Sequence, residues 1–183
     1  MKNKFLLRVH SGTFKGKGLF SPPDATVRPT SARVKDSLFN IIRTKLYGAD
    51  FLDIFCGTGQ VGIEAISNGA NATFIDKNTS IVSKNLQNIC LENKSRLIQG
   101  DFKNVLSSFA KNNEFFDFIF ADPPYNEGLY EDIINYAMPL LKDDGVLILE
   151  HSSDLILEDL FQINIIDKRS YGSRSLTFLG GKQ

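Results

Sequence analysis

The 183-residue sequence has no tryptophan, only two cysteines, and no apolar run near the roughly 18 residues that cross a membrane. The missing tryptophan decides nothing. Cys56 and Cys90 have no metal-ligand spacing and make no disulfide framework, so they point to a reducing compartment. Before Arg8 the only apolar stretch is Phe5-Leu6-Leu7, too short for a signal-peptide core. A cytoplasmic protein is expected. Apolar residues at 42% and charged residues at 23% are ordinary for a soluble globular chain. The length suits one domain with a substantial core.

Net charge is the other lack, and the zero hides a split. Residues 1–45 carry ten basic and two acidic side chains, which leaves eleven basic and nineteen acidic ones beyond. A basic arm on an acidic body suits nucleic acid. The plainer reading is a solvated face whose charges pair with the body.

Among the residues that are present, Asp122-Pro123-Pro124-Tyr125 organises the rest. It follows Phe115-Phe116-Asp117-Phe118-Ile119-Phe120-Ala121, which reads as a buried strand. Two prolines cannot continue that strand, since neither has an N–H and both fix φ near −65°. The residue before a proline is held extended. Asp122 is therefore expected to sit stiffly at the strand's carboxyl end, where open α/β sheets bind ligands. Its carboxylate and the carbonyls beside the prolines form a set of acceptors without donors, suited to an amino group. Tyr125 adds a plane on which a flat base can stack. The plainer alternative is a turn in which Asp122 caps the next helix.

In chain order, Phe5 to Phe20 reads as a β-hairpin whose turn, Lys15-Gly16-Lys17-Gly18, suits phosphate. Ser21 to Pro29 is a linker. Residues 1–29 are thus expected as a basic extension and 30–183 as the main domain. Thr30 or Ser31 caps a helix with Val34, Leu38, Ile41 and Ile42 on one face, and Arg33 and Lys35 fall off that face. Arg28 and Thr30 are placed at the mouth of the site.

Phe51-Leu52-Asp53-Ile54-Phe55 reads as a buried strand, and Cys56-Gly57-Thr58-Gly59-Gln60-Val61-Gly62 leads into a helix ending near Gly69. The glycines let backbone lie against a ligand, and the helix start offers free N–H groups. A second strand, Asn71 to Ile75, ends at Asp76, where a carboxylate can accept both hydroxyls of a ribose. Gly57-x-Gly59-x-x-Gly62 also matches the dinucleotide fingerprint. Two details favour S-adenosylmethionine over a nicotinamide cofactor. Asp53 would repel a pyrophosphate but suits an ammonium or sulfonium, and Asp122-Pro123-Pro124-Tyr125 has no use in hydride transfer.

Thr79 or Ser80 caps a helix through about Leu91, with Cys90 as core filling. Arg96 to Gln99 is a third strand. Asp101 after it can accept from an adenine amino group with Phe102 flanking the ring, or simply cap the helix at 103–110 beside a core phenylalanine. Leu129 to Leu141 is a helix. Asp143-Asp144-Gly145 is a turn into a strand from Val146 to Glu150. Ile163 to Lys168 and Leu176 to Leu179, around Tyr171-Gly172-Ser173-Arg174, close as a hairpin. Strands alternating with helices imply a parallel sheet covered on both faces.

Almost end to end, the chain resembles the bacterial 16S rRNA guanine-N2 methyltransferases of the RsmD type. The resemblance rests on Arg8-Val-His-Ser-Gly-Thr-Phe-Lys-Gly-Lys-Gly-Leu19, Arg28-Pro-Thr with Arg33-Val34 and Leu38-Phe39-Asn40, Leu52-Asp53-Ile-Phe55-x-Gly-Thr-Gly59, and Asp122-Pro-Pro-Tyr125. The first two stretches are specific to that family. The last two are shared by many amino-directed methyltransferases. The resemblance implies a class I methyltransferase fold: a Rossmann-like, mainly parallel seven-stranded sheet with a C-terminal antiparallel hairpin, plus the N-terminal hairpin. It implies that Asp53 and the loop Phe55, Gly57, Thr58 and Gly59 hold the methionine part of S-adenosylmethionine. Asp76, with Lys77 beside it, would take the ribose, and Asp101 with Phe102 the adenine. Asp122, Pro123, Pro124 and Tyr125 would carry catalysis. Arg8, Lys15, Lys17, Arg28 and Arg33 would meet RNA of the 30S subunit or an assembly intermediate. A monomer without metal is expected. Adenine-N6 methylation of RNA or DNA, and a non-catalytic RNA-binding assembly module, are the competing readings.

Overall fold

Strand alternation sorts the core into two layers, one on each side of a single sheet. The computed structural model describes residues 7–21, 32–124, 128–157 and 164–180. A short antiparallel pair, β1 (Leu7–Arg8) and β2 (Gly18–Leu19), comes first. Helix α1 (Ala32–Ile42) leads to β3 (Asp50–Ile54), α2 (Gln60–Ser67), β4 (Asn71–Asp76), α3 (Ser80–Asn88) and β5 (Ser95–Gln99). Then come α4 (Phe102–Lys111), β6 (Phe116–Ala121), α5 (Tyr130–Ala137), β7 (Leu141–Ser152), β8 (Ile165–Tyr171) and β9 (Arg174–Gly180). The order across the sheet is β5-β4-β3-β6-β7-β9-β8. All neighbours are parallel except β9, which runs antiparallel to both β7 and β8. This is the doubly wound sheet with a closing hairpin that the resemblance implied.

Phe51, Phe74, Phe118, Phe120, Ile148, Leu176 and Phe178 pack in one layer with buried residues of α1, α2, α3 and the amino-terminal hairpin. Leu52, Ile54, Ile119, Leu147, Leu149 and Leu179 face the other layer, with α4 and α5. The order reverses between β3 and β6, whose carboxyl ends lie side by side: Ile54 pairs with Ala121. That switch point is where a doubly wound sheet opens a crevice, and Asp53 and Asp122 flank it. No helix among the described residues is long and apolar enough to cross a membrane.

The elements differ locally from expectation. Lys35, placed off the apolar face of α1, is 1% exposed. Its Nζ lies 3.6 Å from Glu64 Oε2 on α2, and its stem fills apolar space. Ile41, placed on that face, is 38% exposed, and Phe39 is buried instead. Cys90 is exposed rather than core, because α3 stops at Asn88 and Cys90 turns away at φ +57°. Neither Thr79 nor Ser80 caps α3 by its side chain; Asn78 Oδ1 accepts from Ser80 N at 3.1 Å. Asp143-Asp144-Gly145, expected as a turn, lies inside β7. Phe116 pairs with Leu141 and Phe118 with Val146, so the extra residues form an irregularity in the strand. A Cβ at Gly145 would come within 2.9 Å of the Phe116 carbonyl, so only glycine fits so close to β6. The expected helix cap at Thr30 or Ser31 lies outside the described residues.

Candidate active site

The loop after β3 is held from several sides. Asp53, 2% exposed, accepts from Gly62 N at 2.8 Å and so ties the strand to the first turn of α2. Gly62 lets that helix lie on β4: a Cβ there would sit 2.3 Å from the Phe74 ring. Gly59, at φ +75°, caps α2 without a side chain. Phe55 holds φ +62°, a left-handed conformation uncommon outside glycine and concentrated at ligand sites. Its ring packs on Phe102, centroids 5.0 Å apart. Gly57 N donates to Asp76 Oδ2 at 2.8 Å and Asn78 N to Asp76 Oδ1 at 2.9 Å. Thr58 is buried, and Lys77 is exposed beside Asp76. Asp101 caps α4, accepting from Lys103 N at 3.0 Å, and Phe102 is buried. The cap and core roles are therefore both present, while the ring contact joins Phe102 to the glycine loop.

Electrostatics distinguish this corner. Burial pushes the Asp53 carboxyl up to about 7, against the pull of the Gly62 bond, and the negative charges of Asp76 and Asp122 add to it. Burial, then Asp53 and Asp76, push the Cys56 thiol up as well. Three carboxylates that sense one another across a crevice suit a cationic ligand, whose charge would relieve all three. Cys56, buried under the loop, is a neutral filler.

Asp122 follows β6 directly. Its side chain is 21% exposed, Pro123 is buried and Pro124 exposed. Burial pushes the Asp122 carboxyl up to about 6, and the Arg174 guanidinium acts against that rise. Tyr125 lies outside the described residues. Two residues here escaped the sequence analysis. Arg174 Nη1, from β9, is 3.6 Å from Asp122 Oδ1 and 2.5 Å from Oε1 of the wholly buried Glu150 in β7. The available signal was a single acid closing the apolar run Leu147-Ile148-Leu149-Glu150.

The amino-terminal hairpin is bolted to α2. Glu64 accepts from His10 N at 2.9 Å, Ser11 N at 2.6 Å and Ser11 Oγ at 2.7 Å. Ser67 O accepts from Thr13 N at 2.7 Å. Asn85 of α3 accepts from Phe20 N at 2.6 Å and donates to Thr58 O at 2.8 Å, linking the hairpin's end to the glycine loop. The polar Asn85 on an otherwise apolar face of α3 was its signal. Lys15 and Lys17 are exposed, and the Arg8 guanidinium donates to Gly16 O at 2.9 Å. Arg33 is exposed and lines an open groove with Asn40, Arg169 and Tyr171, away from the glycine loop. The Ser37 and Tyr171 hydroxyls bond across the floor of that groove. Arg28 lies outside the described residues.

Comparison with known proteins gives a consistent picture. The family described as Conserved hypothetical protein 95 matches residues 7–180. YlbH of Bacillus subtilis (strain 168) is 32% identical over 173 residues, 91% of this chain and 94% of that protein. Ribosomal RNA small subunit methyltransferase D of Escherichia coli (strain K12) is 32% identical over 144 residues, covering 77% of this chain and 69% of that protein. Among solved structures, the hypothetical protein TTHA0928 of Thermus thermophilus superposes with a TM-score of 0.84 at 27% identity. That match spans 96% of this chain and 99% of the other.

Proposed function

Because the chain belongs to the RsmD family of class I S-adenosylmethionine-dependent methyltransferases, we propose that it methylates the exocyclic N2 amine of a guanine in 16S rRNA. The observation that carries this reading is Asp122 at the switch point, part-exposed beside the carboxylate corner. S-adenosylmethionine supplies an electrophilic methyl group on sulfur when bound. Asp53 and the backbone of Phe55 to Gly59 would hold its methionine part, Asp76 with Lys77 nearby its ribose, and Asp101 with Phe102 its adenine.

Guanine's N2 is a poor nucleophile because its lone pair is delocalised into the ring. Asp122 and the Pro123 carbonyl accept its two N–H groups, which localises the pair and aims it at the methyl carbon. Once the nitrogen has taken the methyl group it would be acidic, and its proton would pass to the Asp122 carboxylate that already accepts it. Asp122 need not be a strong base; its contribution is orientation and charge. Tyr125 stacks on the base. The base must leave its stack, so a loop or strand end of RNA within the 30S particle or an assembly intermediate is the target. Residues 1–29 serve as the RNA-contacting extension, with Arg8, Lys15, Lys17, Arg28 and Arg33 meeting phosphates. The enzyme acts in the cytoplasm, as a monomer.

The test is methyl transfer from labelled S-adenosylmethionine to 30S particles lacking modifications, with mass spectrometry of the digested nucleosides. N2-methylguanosine at a single position is expected. N6-methyladenosine would overturn the choice of base. Asp122→Ala should abolish transfer and leave cofactor binding intact; a variant that turns over normally sinks the role given to Asp122.

A further inference from the structure

Glu150 and Arg174 reach the edge of the site from two adjacent strands. Ala121 pairs with Leu149 across β6 and β7, so Glu150 is level with Asp122, and Ser152 pairs with Arg174 across β7 and β9. By strand alternation Glu150 and Arg174 project to the layer of α1 and α2, and Asp122, the residue after β6, meets Arg174 there. One guanidinium nitrogen serves both acids, at 2.5 Å from Glu150 Oε1 and 3.6 Å from Asp122 Oδ1. Glu150 is wholly buried, and Arg174 is 16% exposed. The close contact therefore lies in the interior and the looser one at the crevice. A guanidinium fixed at its inner side keeps its charge beside Asp122 without covering the carboxylate.

We propose that Arg174, anchored by Glu150, is a positioning residue for methyl transfer, holding the Asp122 carboxylate ionised and oriented to accept from the target amine. This rests on the reading of Asp122 given above. Among the described residues, the charged and titratable groups around Asp122 are Asp53 from β3, Tyr130 from α5, Glu150 from β7 and Arg174 from β9. Arg174 is the cation among these four. Tyr130, its hydroxyl buried without a hydrogen-bond partner, is held neutral by burial and by the charges of Asp122 and Glu150. Asp53, whose own carboxyl the charge of Asp122 raises, disfavours a further negative charge. Arg174 is the group among them that favours it.

The experiment measures kcat/KM against pH from 5 to 9 on unmodified 30S particles, for wild type, Arg174→Met, Arg174→Lys and Asp122→Asn. Calorimetric titration with S-adenosylmethionine and thermal melts accompany each. An opposite charge at this range lowers a carboxyl by about 1–3 units. Arg174→Met should therefore move the acid limb, near 6 in the wild type, up by at least about one pH unit, costing about twofold at pH 7 for a one-unit shift and about tenfold for two, with cofactor affinity at the wild-type value. Arg174→Lys should return the limb to its place while leaving the plateau rate low, because charge is restored without the fork. A limb that stays put in folded Arg174→Met overturns the proposal and leaves a structural clamp. If Arg174→Met does not fold, Arg174→Lys decides alone: a wild-type plateau overturns the orienting role, and a low plateau on an unmoved limb supports it. Asp122→Asn separates the two readings. Full activity in that variant refutes the role of Asp122, whereas an inactive Asp122→Asn beside an unmoved Arg174→Met limb refutes only that of Arg174.

Discussion

Asp122 binds its proton more tightly than an ordinary aspartate, with its carboxyl pushed from 3.8 up to about 6 mainly by burial. The folded protein thus holds that proton more firmly than the unfolded chain. Stability from this group is full below the unfolded value near 4 and is lost as pH rises through about 6. Asp122→Asn imitates the protonated form, so it should raise the melting temperature at pH 8, by an effect worth up to about 3 kcal/mol, and leave it unchanged at pH 4. Thermal melts at the two pH values read this directly; a variant that is less stable at pH 8 would contradict it. Asp53, pushed up to about 7, shares the sign. Keeping two carboxylates ionised at the crevice costs the fold stability, as sites shaped for ligands commonly do.

At the scale of elements, the buried pair of Lys35 on α1 and Glu64 on α2 is the joint that fixes the hairpin. Removing one partner leaves the other charge stranded without water. Glu64→Gln should cost about 3–5 kcal/mol, and the double variant Lys35→Met with Glu64→Gln should recover much of it. Urea unfolding would measure both; a single variant within about 1 kcal/mol of wild type would remove the joint from the account. This pair also marks where the sequence stops being readable. Strands β3, β4 and β6, the glycine loop and the closing hairpin were legible because apolar runs and glycine spacing report local geometry. Lys35 was not, because a lysine goes inside only when a distant residue, here Glu64, offers an anion. Cys90 failed for the opposite reason: the helical period was extended two residues past the point where the chain turns. Arg174 and Glu150 come together through strand pairing between β7 and β9, and no spacing within either strand announces that meeting.

Across the whole molecule, ten basic side chains lie in residues 1–45, but burial shields Lys35 from solvent. Lys15 and Lys17 remain exposed at the hairpin turn. Replacing both with alanine should reduce the slope of log affinity for 30S particles against log salt by about 2, one for each phosphate no longer neutralised. Filter binding between 50 and 200 mM salt tests this, and an unchanged slope would move the RNA-binding surface elsewhere, such as the groove lined by Arg33 and Arg169. The docking of the hairpin on α2 has one more consequence, in the order of events during synthesis. His10 and Ser11 bond to a carboxylate more than fifty residues downstream. At roughly 5–20 residues per second, the nascent hairpin waits about 3–10 s for Glu64 to be made. Through that interval Val9 and Leu19, both buried in the finished protein, have no helix to cover them. The hairpin is therefore translated before α2 and fastened only after α2 has formed.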